Sequence, residues 1–205
     1  MRLFPALVRI PSADMIYEAA ISEDFPVREQ DELARLRRGD PAALSAAVNR
    51  YQHRLYRYLF RLVREPAAAE DLFQQTWLNA VRQIRRYDST RSFDTWLFAI
   101  AHNAAMDLLR RRPGESLDEH EFPAAADSLG MAMAAERAEI LEGEMAALSA
   151  VYREVLVLRF EEDMKLEEIA EVTGAPLSTV KSRVQRALES LRQRMSVRWR
   201  KEDLI

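Results

Sequence analysis

The stretch from Lys165 to Arg194 constrains the fold more than any other, because its pattern predicts two helices joined by a tight turn. Leu166, Ile169 and Ala170 share one face of a short helix. Gly174 follows, and glycine readily adopts the left-handed backbone conformation that a sharp turn requires. A longer helix then carries apolar residues three or four positions apart: Val180, Val184, Leu188 and Leu191. This spacing predicts a helix-turn-helix, in which a short helix packs closely on a longer one.

The face of the longer helix that lies between the apolar positions is basic. Residues 176–201 contain eight Lys or Arg and a single acid, Glu189. A solvated helix face usually mixes charges of both signs, whereas an excess of positive charge suits a partner rich in phosphate. The alternative is a helical hairpin whose basic face is only solvated. The charge excess favours nucleic acid as the partner.

Composition places the chain in the all-α class. The 205 residues include five Gly and eight Pro, and 48% are hydrophobic, which is enough for one or two helical cores. There is no Cys, so disulfides and thiolate metal sites are ruled out. No apolar run approaches the length of a membrane span, and Pro5, Arg9 and Pro11 interrupt the N-terminal apolar residues. We therefore expect no signal peptide, no membrane insertion and a cytoplasmic location.

Helical periodicity divides the chain into two small helical domains. Asp40 followed by Pro41 is a strong helix start, and apolar stripes of helical period continue from there to Leu108. The predicted divisions are a mobile N-terminal extension over 1–25, a first domain over 26–112, a linker over 113–130 and a second domain over 131–201.

The net charge of −3 conceals a separation of charge along the sequence. Residues 113–150 contain nine acids and one base, Arg137, whereas basic surfaces lie on either side of this segment. The small, polar and acidic residues from Pro113 to about Gly130 predict a flexible acidic linker. One hypothesis is that this segment folds back on the basic helix and holds the free protein closed.

The predicted helix that begins at Pro66 has an apolar face and a polar face. Its apolar stripe comprises Ala69, Leu72, Phe73, Thr76, Trp77, Ala80, Val81 and Ile84. The opposite face comprises Asp71, Gln74, Gln75, Leu78, Asn79 and Arg82. A polar face of this kind, with one exposed leucine, suits a protein partner better than DNA.

The preceding predicted helix has an arginine at every third or fourth position beside its apolar seam. These residues are Arg50, Arg54, Arg57, Arg61 and Arg64. The row has two interpretations that the sequence leaves open. It is either a solubilising face or a functional surface.

Aromatic residues bracket the polar loop Tyr87–Ser92, which joins two predicted helices. Such a loop, followed by a helix that ends in three arginines at 110–112, is able to hold unstacked bases. For Trp77, Phe93 and Trp96 we favour the alternative, in which the rings fill the core. The loop residues are then the better candidates for contact with nucleic acid.

The sequence shows no pattern of catalytic or metal-binding chemistry. A Gly-rich phosphate loop, a nucleophile elbow and an HExxH motif are all missing. His53, His102 and His120 are far apart, and each suits a surface or packing role better than a ligand role. The carboxylate pairs at 161–162 and 167–168 are predicted to lie beside solvent-facing positions. We therefore predict a protein that is not an enzyme and that has no cofactor, metal or catalytic residue.

Two stretches resemble, in the same order, the two domains of a bacterial protein family. Ala67–Arg112 is similar to region 2 of sigma-70 factors, and Tyr152–Arg194 is similar to region 4. The lack of a region 3 between them matches the small extracytoplasmic-function group. The resemblance implies promoter-specific transcription initiation, with core RNA polymerase (its β′ clamp helices and β flap) and promoter DNA as partners. It also implies an anti-sigma factor as a further partner.

The resemblance also implies roles for individual residues. Those expected to meet the −35 element lie on the recognition helix: Thr179, Lys181, Ser182, Arg183, Gln185 and Arg186. Those expected to bind the melted −10 element are Asp88, Ser89, Thr90, Arg91, Ser92, Asn103, Arg110 and Arg111. Those expected to bind core polymerase are Asp71, Gln74, Gln75, Leu78 and Asn79.

The chain departs from the family pattern in two places. Glu65 precedes Pro66 where an Asp is more usual, which weakens a helix cap. Ser182 and Gln185 are short or uncharged, so part of −35 recognition is expected to depend on DNA shape.

Two other functions remain open at this point. One is an ordinary helix-turn-helix regulator with an N-terminal dimerisation or sensing domain, which would bind a palindromic site without polymerase. The other is a protein-interaction module whose basic helix is incidental. The paired glutamines at 74 and 75, and the later helix that ends in the arginines at 110–112, argue against the ordinary regulator.

Overall fold

In the computed structural model every described element is helical. The structure describes the backbone of residues 25–88, 91–112 and 133–202, and side chains within 31–88, 91–112 and 140–196. The helices are α1 (Phe25–Arg37), α2 (Pro41–Val63), α3 (Pro66–Gln83), α4 (Phe93–Arg111), α5 (Met133–Ala146), α6 (Ala150–Leu156), α7 (Leu166–Thr173) and α8 (Leu177–Glu202). A 3₁₀ turn at Ile84–Arg86 follows α3, and a π-helical turn at Val157–Glu161 follows α6. The prediction of an all-α fold is confirmed.

The start of α2 has the predicted cap. The Asp40 carboxylate accepts a hydrogen bond from the backbone N–H of Ala42 at 2.9 Å, and Pro41 occupies the first helical position. The same carboxylate accepts a hydrogen bond from Arg35 Nε at 2.8 Å, which ties α1 to α2. Glu65, by contrast, makes no side-chain cap for α3 and accepts a hydrogen bond from Arg112 at 2.6 Å instead.

Helices α1–α4 form the N-terminal unit, whose core lies where α2, α3 and α4 pack together. Its fully buried side chains include Leu55, Tyr58, Leu59, Leu62, Leu97, Phe98 and Leu109. Trp77 and Phe93 are buried, and the partly buried Trp96 packs against the same core, as predicted. Val81 is a correction, since its side chain is 47% exposed and lies outside the apolar stripe of α3.

Helices α5–α8 form the C-terminal unit, in which α6 and α7 pack on α8. Gly174 ends α7 with φ of 64°, the left-handed conformation expected from the sequence. The buried stripe of α8 passes through Val180 and Ala187. Leu188, predicted to be buried, is 42% exposed, because the small Ala187 takes the inward position one residue earlier.

The two units pack directly against each other. Helix α4 lies along α7, and α2 contacts α6 and the π-helical turn that follows it. Buried residues of both units belong to one continuous hydrophobic core. The sequence predicted two domains on a linker but gave no sign of this contact. The predicted linker at 113–130 and the extension at 1–24 lie outside the described residues, and so does the hypothesis that the linker folds back.

Candidate functional site

The first turns of α8 present the residues predicted to face −35 DNA. The set occupies positions 179–186, immediately after the helix begins at Leu177. Lys181, Gln185 and Arg186 are exposed, whereas Thr179, Ser182 and Arg183 are partly buried. Ser182 Oγ donates to the Thr179 carbonyl at 2.9 Å, so part of its hydrogen-bonding capacity is used within the helix. The most accessible groups of this face are therefore two cations and an amide.

Helix α7 fixes the position of α8. The backbone N–H of Lys165 donates to the Glu168 carboxylate at 2.7 Å, which satisfies a donor at the start of α7. Ile169 and Val172 are buried beneath the helix, and Thr173 Oγ donates to the Ile169 carbonyl at 2.8 Å. The two hydrogen bonds stabilise the ends of α7 itself, and its buried side chains pack it against α8.

The polar face predicted on α3 is turned away from the core. Asp71, Gln74, Gln75 and Leu78 are exposed, and Asn79 is partly buried. Leu78 is 51% exposed, and the exposed Val81 lies three residues further along the helix. The two side chains form an apolar edge beside the polar residues. Sequence reasoning missed Val81 as part of this surface, because it fits a broad helical stripe almost as well as its buried neighbours do.

The loop before α4 is held by an aromatic cluster. Tyr87 lies 5.0 Å from Trp96 and 5.7 Å from Phe93 between ring centroids, and the Tyr87 hydroxyl donates to the Arg91 carbonyl at 2.5 Å. Arg37 donates to the Tyr87 carbonyl, so α1 also anchors the loop. This role of Arg37 was not predicted. The exposed residues Asp88, Arg91 and Ser92 therefore project from a fixed base, while residues 89 and 90 lie outside the described residues.

Asn103, Arg110 and Arg111 are exposed on α4. Asn103 and Arg110 are seven residues apart, which places them on the same face about 10 Å apart along the axis. Arg110 forms an ion pair with Asp107 at 2.9 Å, and Arg91 lies 3.9 Å from Glu171 of the C-terminal unit. The structure thus brings Asn103 and Arg110 together on one face and puts the loop residue Arg91 beside an acid of α7.

The arginine row of α2 contacts acids of the other unit. Arg54 Nε and Arg57 Nη2 each lie 2.8 Å from Glu162, whose side chain has 0% exposure. Although burial works against the charged form, Asp94 and Glu162 together raise the pKa of the Arg54 guanidinium. The prediction that residues 161–162 lie beside solvent is therefore wrong for Glu162. The burial of Glu162 could not be predicted from local periodicity, because its partners Arg54 and Arg57 are about 100 residues away in the sequence.

Arg61 continues these contacts. It forms ion pairs with Glu142 of α5 and, at 3.1 Å, with Glu161. The hydrogen bond to Glu142, followed by the nearby carboxylates, raises the pKa of Arg61. Arg54, Arg57 and Arg61 thus all form ion pairs with acids of the C-terminal unit. These contacts give the arginine row a structural role.

Two adjacent residues of α6 carry buried polar contacts across the boundary between the units. The Arg153 guanidinium donates to the carbonyls of Arg61, Leu62 and Leu148 at 2.9 Å each and to that of Ala146 at 3.2 Å. These oxygens lie at the C-terminal ends of α2 and α5, where carbonyls lack partners within the helix. Arg153 therefore joins two helix ends through the main chain.

The Glu154 carboxylate accepts a hydrogen bond from the Tyr58 hydroxyl at 2.5 Å and lies 2.6 Å from His102 Nδ1. Burial, reinforced by this carboxylate, raises the pKa of Tyr58. His102 is partly buried at this contact. The sequence indicated a surface or packing role for this histidine, and the structure adds a polar contact with Glu154. The three residues come from α2, α4 and α6 and connect both units.

Within the described residues, His, Asp and Glu side chains form no group arranged to hold a metal ion. None of the described helices is both long and apolar enough to cross a bilayer.

Comparison with protein families gives two matches on this chain. Residues 47–113 match the model of sigma-70 region 2, and residues 138–191 match a model of sigma-70 region 4. The first range covers most of α2 to α4, and the second covers the helix-turn-helix and the helices before it.

Curated relatives match along most of their length. The RNA polymerase sigma-H factor of Pseudomonas aeruginosa is 33% identical over 180 residues, which cover 80% of this chain and 93% of that protein. The extracytoplasmic-function sigma factor SigW of Bacillus subtilis is 27% identical over 177 residues, covering 80% of this chain and 94% of that protein.

Two solved structures share the fold. CnrH, solved in complex with the cytosolic domain of CnrY, has a TM-score of 0.63 and 24% identity and covers 82% of this chain and 97% of its own. The sigma factor RpoE of Bartonella quintana, in complex with the anti-sigma factor NepR, has a TM-score of 0.58 and 24% identity, covering 75% and 96%.

Proposed function

The chain belongs to the sigma-70 family, in the extracytoplasmic-function group of RNA polymerase sigma factors, and we propose which of its surfaces performs each step of promoter recognition. As a member it binds core polymerase and promoter DNA and directs promoter-specific transcription initiation. Sigma factors are not enzymes. The free energy that opens the promoter therefore comes from binding the separated bases and polymerase, without nucleotide hydrolysis.

The first turns of α8 read the −35 element in the duplex. The exposed Lys181, Gln185 and Arg186 are able to reach base edges from a helix lying in the major groove. Thr179 and Arg183 are partly buried, and we assign them to contacts with the phosphates. Because Ser182 already donates within the helix, its contribution to base readout is small. DNA shape supplies the remaining selectivity.

The loop 88–92 and the exposed face of α4 hold the melted −10 element. The described loop residues Asp88, Arg91 and Ser92 adjoin the aromatic cluster of Tyr87, Phe93 and Trp96. Residues that are already fixed before binding lose less conformational entropy when they contact an unpaired base. Asn103 and Arg110 then meet the displaced strand along one face of α4, with Arg111 beside them.

The exposed face of α3 docks on core polymerase. Asp71, Gln74, Gln75 and Asn79 supply hydrogen-bonding groups around the exposed Leu78. An apolar anchor within a polar rim is the usual arrangement of a protein interface. We expect Leu78→Ala to weaken binding to core polymerase about tenfold. Glu70→Ala, an exposed change on the same helix outside this set, is the matched control.

An anti-sigma factor is a partner of this chain. One of the two solved structures that share its fold is the sigma factor RpoE in complex with the anti-sigma factor NepR. The residues of this chain that such a partner covers are not assigned by the fold.

The observation that carries the proposal is the presence of both family regions in order, with a basic recognition face on α8 and a polar docking face on α3. The test is transcription in vitro with purified core polymerase and a promoter library. We expect transcripts only when the protein is added, from templates that share two spaced elements, and Lys181→Ala should alter the upstream one. Selection of a palindromic duplex site by the protein alone, with no gain by polymerase, would establish an ordinary regulator instead.

A further inference from the structure

Four exposed arginines at one end of the N-terminal unit have no side-chain partner among the described residues. Helix α1 contacts the 3₁₀ turn that follows α3, and Arg37 donates to the Tyr87 carbonyl at 2.5 Å, which holds the end of α1 beside that turn. The four residues, here called the arginine cluster, are Arg38 directly after α1, Arg82 in the last turn of α3, and Arg85 and Arg86 in the 3₁₀ turn.

Acids on the elements around the arginine cluster are already paired with other arginines. Asp40, in the turn before α2, pairs with Arg35 at 2.8 Å. Glu32 of α1 pairs with Arg50 at 2.5 Å, and Asp94 at the start of α4 pairs with an arginine of α2 at 2.7 Å. These three carboxylates are therefore not available to neutralise the cluster.

The arginine cluster is electrostatically unfavourable in the free chain. Arg82 lies three residues before Arg85 and four before Arg86, which is the spacing at which side chains of a helix are neighbours. Like charges at this spacing destabilise a helix, whereas the arginine row of α2 faces carboxylates of the other unit. A local arrangement that works against folding is expected where a binding partner supplies the opposite charge.

The arginine cluster is continuous with the surface assigned to the −10 element. Arg86 is followed by Tyr87 and then by the loop 88–92. A strand whose base is held by this loop carries a phosphate on every nucleotide, about 3.4 Å apart along the axis when the bases are stacked and further apart when they are not. Arg82 and Arg86 are about 6 Å apart along their helix axis, so they are able to contact neighbouring phosphates of one strand. A guanidinium binds phosphate oxygens through two N–H groups at once.

We propose that the arginine cluster binds the phosphates of the unpaired promoter strand beside the −10 element. This inference rests on the proposed function of the loop 88–92, because the loop determines where that strand passes. The cluster contributes affinity that does not depend on base sequence, while the loop supplies the selection of bases.

The salt dependence of binding to single-stranded DNA tests this surface in the full-length chain. Affinity for a fluorescein-labelled oligothymidine is measured by fluorescence anisotropy from about 50 to 200 mM salt. Each contact with a phosphate of a single strand contributes about 0.7 to the slope of log affinity against log salt concentration. We expect Arg85→Gln with Arg86→Gln to reduce the slope by about 1.4, and further replacement of Arg38 and Arg82 by Gln to reduce it by about 2.8 in total.

The matched control for the double variant is Arg50→Gln with Arg57→Gln, which removes two positive charges from the same unit. Arg50 pairs with Glu32, and Arg57 pairs with Glu161 and Glu162, so the slope should stay at the wild-type value. Circular dichroism checks that each variant keeps its helix content. The double variant of the cluster decides alone if the fourfold variant unfolds.

A second measurement tests where the cluster lies on the promoter. The sequence has no Cys, so Arg85→Cys introduces a single attachment site for an iron chelate whose hydroxyl radicals cut nearby DNA. In the complex of core polymerase, this chain and a promoter selected by the transcription assay, we expect cuts beside the −10 element. Cuts confined to the −35 element would overturn the assignment.

Two results of the salt measurement would also overturn the proposal. An unchanged slope in the cluster variants would leave an acidic protein surface as the partner that fits the arginines. An equal reduction in the control would show that net charge alone explains the effect. The salt measurement is separable from the proposed function, because it uses neither polymerase nor a promoter. A slope that falls as expected in a chain that supports no transcription would retain the phosphate-binding surface and reject the assigned promoter roles.

Discussion

Asp40 combines two interactions in one exposed carboxylate. It caps α2 through the backbone N–H of Ala42 and pairs with Arg35 of α1. The hydrogen bond from Arg35, and after it the one from Ala42, lower the pKa of Asp40 below its ordinary value of 3.8. Folding thus favours the charged form of Asp40. The stability of the contact between α1 and α2 therefore depends on pH through this one side chain.

This shift predicts a loss of stability in acid. Because the folded pKa lies below the unfolded one, the contribution of Asp40 is complete above the unfolded value and disappears as pH falls through the folded value. Asp40→Asn keeps a capping oxygen without the charge. We expect urea midpoints of the variant to fall less than those of the wild type between about pH 5 and pH 2.5. Parallel pH profiles would contradict this account.

Arg153 shows how much a planar guanidinium adds at a buried position. It donates to four main-chain carbonyls of two helix ends, whereas Arg159, six residues later, donates to the Met164 carbonyl at 2.9 Å. A lysine ammonium is a single point and cannot serve both helix ends at once. Arg153→Lys is therefore expected to cost about 2–4 kcal/mol of unfolding free energy.

The matched change is Arg159→Lys, for which we expect about 1 kcal/mol or less. Both values are to be measured by equilibrium urea unfolding at neutral pH. Unfolding is followed by circular dichroism at the wavelength where the signal of an α-helix has its minimum. Equal costs for the two variants would show that the number of carbonyls reached by Arg153 does not matter.

At the scale of elements, the turn between α7 and α8 depends on one backbone angle. Gly174 has φ of 64°, and a Cβ added there would meet nothing within 4 Å. Gly174→Ala should therefore destabilise the protein by about 1 kcal/mol through backbone conformation alone. Gly143 lies inside α5, also with nothing within 4 Å, and its φ is not positive.

The same substitution at Gly143 should stabilise the protein, which is the opposite of the effect expected at Gly174. Alanine is favoured over glycine inside a helix by up to about 1 kcal/mol. Urea unfolding of Gly174→Ala and Gly143→Ala, measured side by side, checks both. A stabilised Gly174→Ala variant would mean that the turn does not need the left-handed conformation in solution.

The elements were predictable where their signals are local. The Asp40 cap and the left-handed Gly174 were both predicted from short sequence patterns. The prediction that Leu188 and Val81 are buried was wrong. Each is an apolar residue next to a buried position in the sequence, and helical periodicity does not distinguish two neighbouring positions at the edge of an apolar stripe. The roles of the DNA-binding and polymerase-binding residues stay predictions, although most of them are exposed as their roles require.

At the scale of the whole molecule, the contact between the units could not be predicted. Glu154 and Glu162 resemble solvated acids of a charged helix when only their neighbours are considered. Their partners Tyr58, Arg54 and Arg57 are about 100 residues away in the sequence. Periodicity describes one helix at a time, so a polar interface between distant helices leaves no pattern in it.

This contact predicts cooperative unfolding of the two units. Their buried residues form one core, and Arg153 and Glu154 bond across the boundary. We expect calorimetry and circular dichroism to report a single coincident thermal transition at low salt. Arg57→Glu should separate it into two transitions. Two transitions in the wild-type chain would show that the units are independent in solution.

The contacts of Arg153 have a consequence for how this chain tolerates change. Its four acceptors are main-chain oxygens, which every amino acid possesses. Substitutions at Leu62, Ala146 or Leu148 therefore leave these hydrogen bonds available, provided the helix ends keep their positions. These hydrogen bonds therefore tolerate substitution of the residues that accept them, but they depend on the one side chain that donates them. A chimera that carries α2 from a relative would keep them, because Arg153 lies on α6 and remains in place.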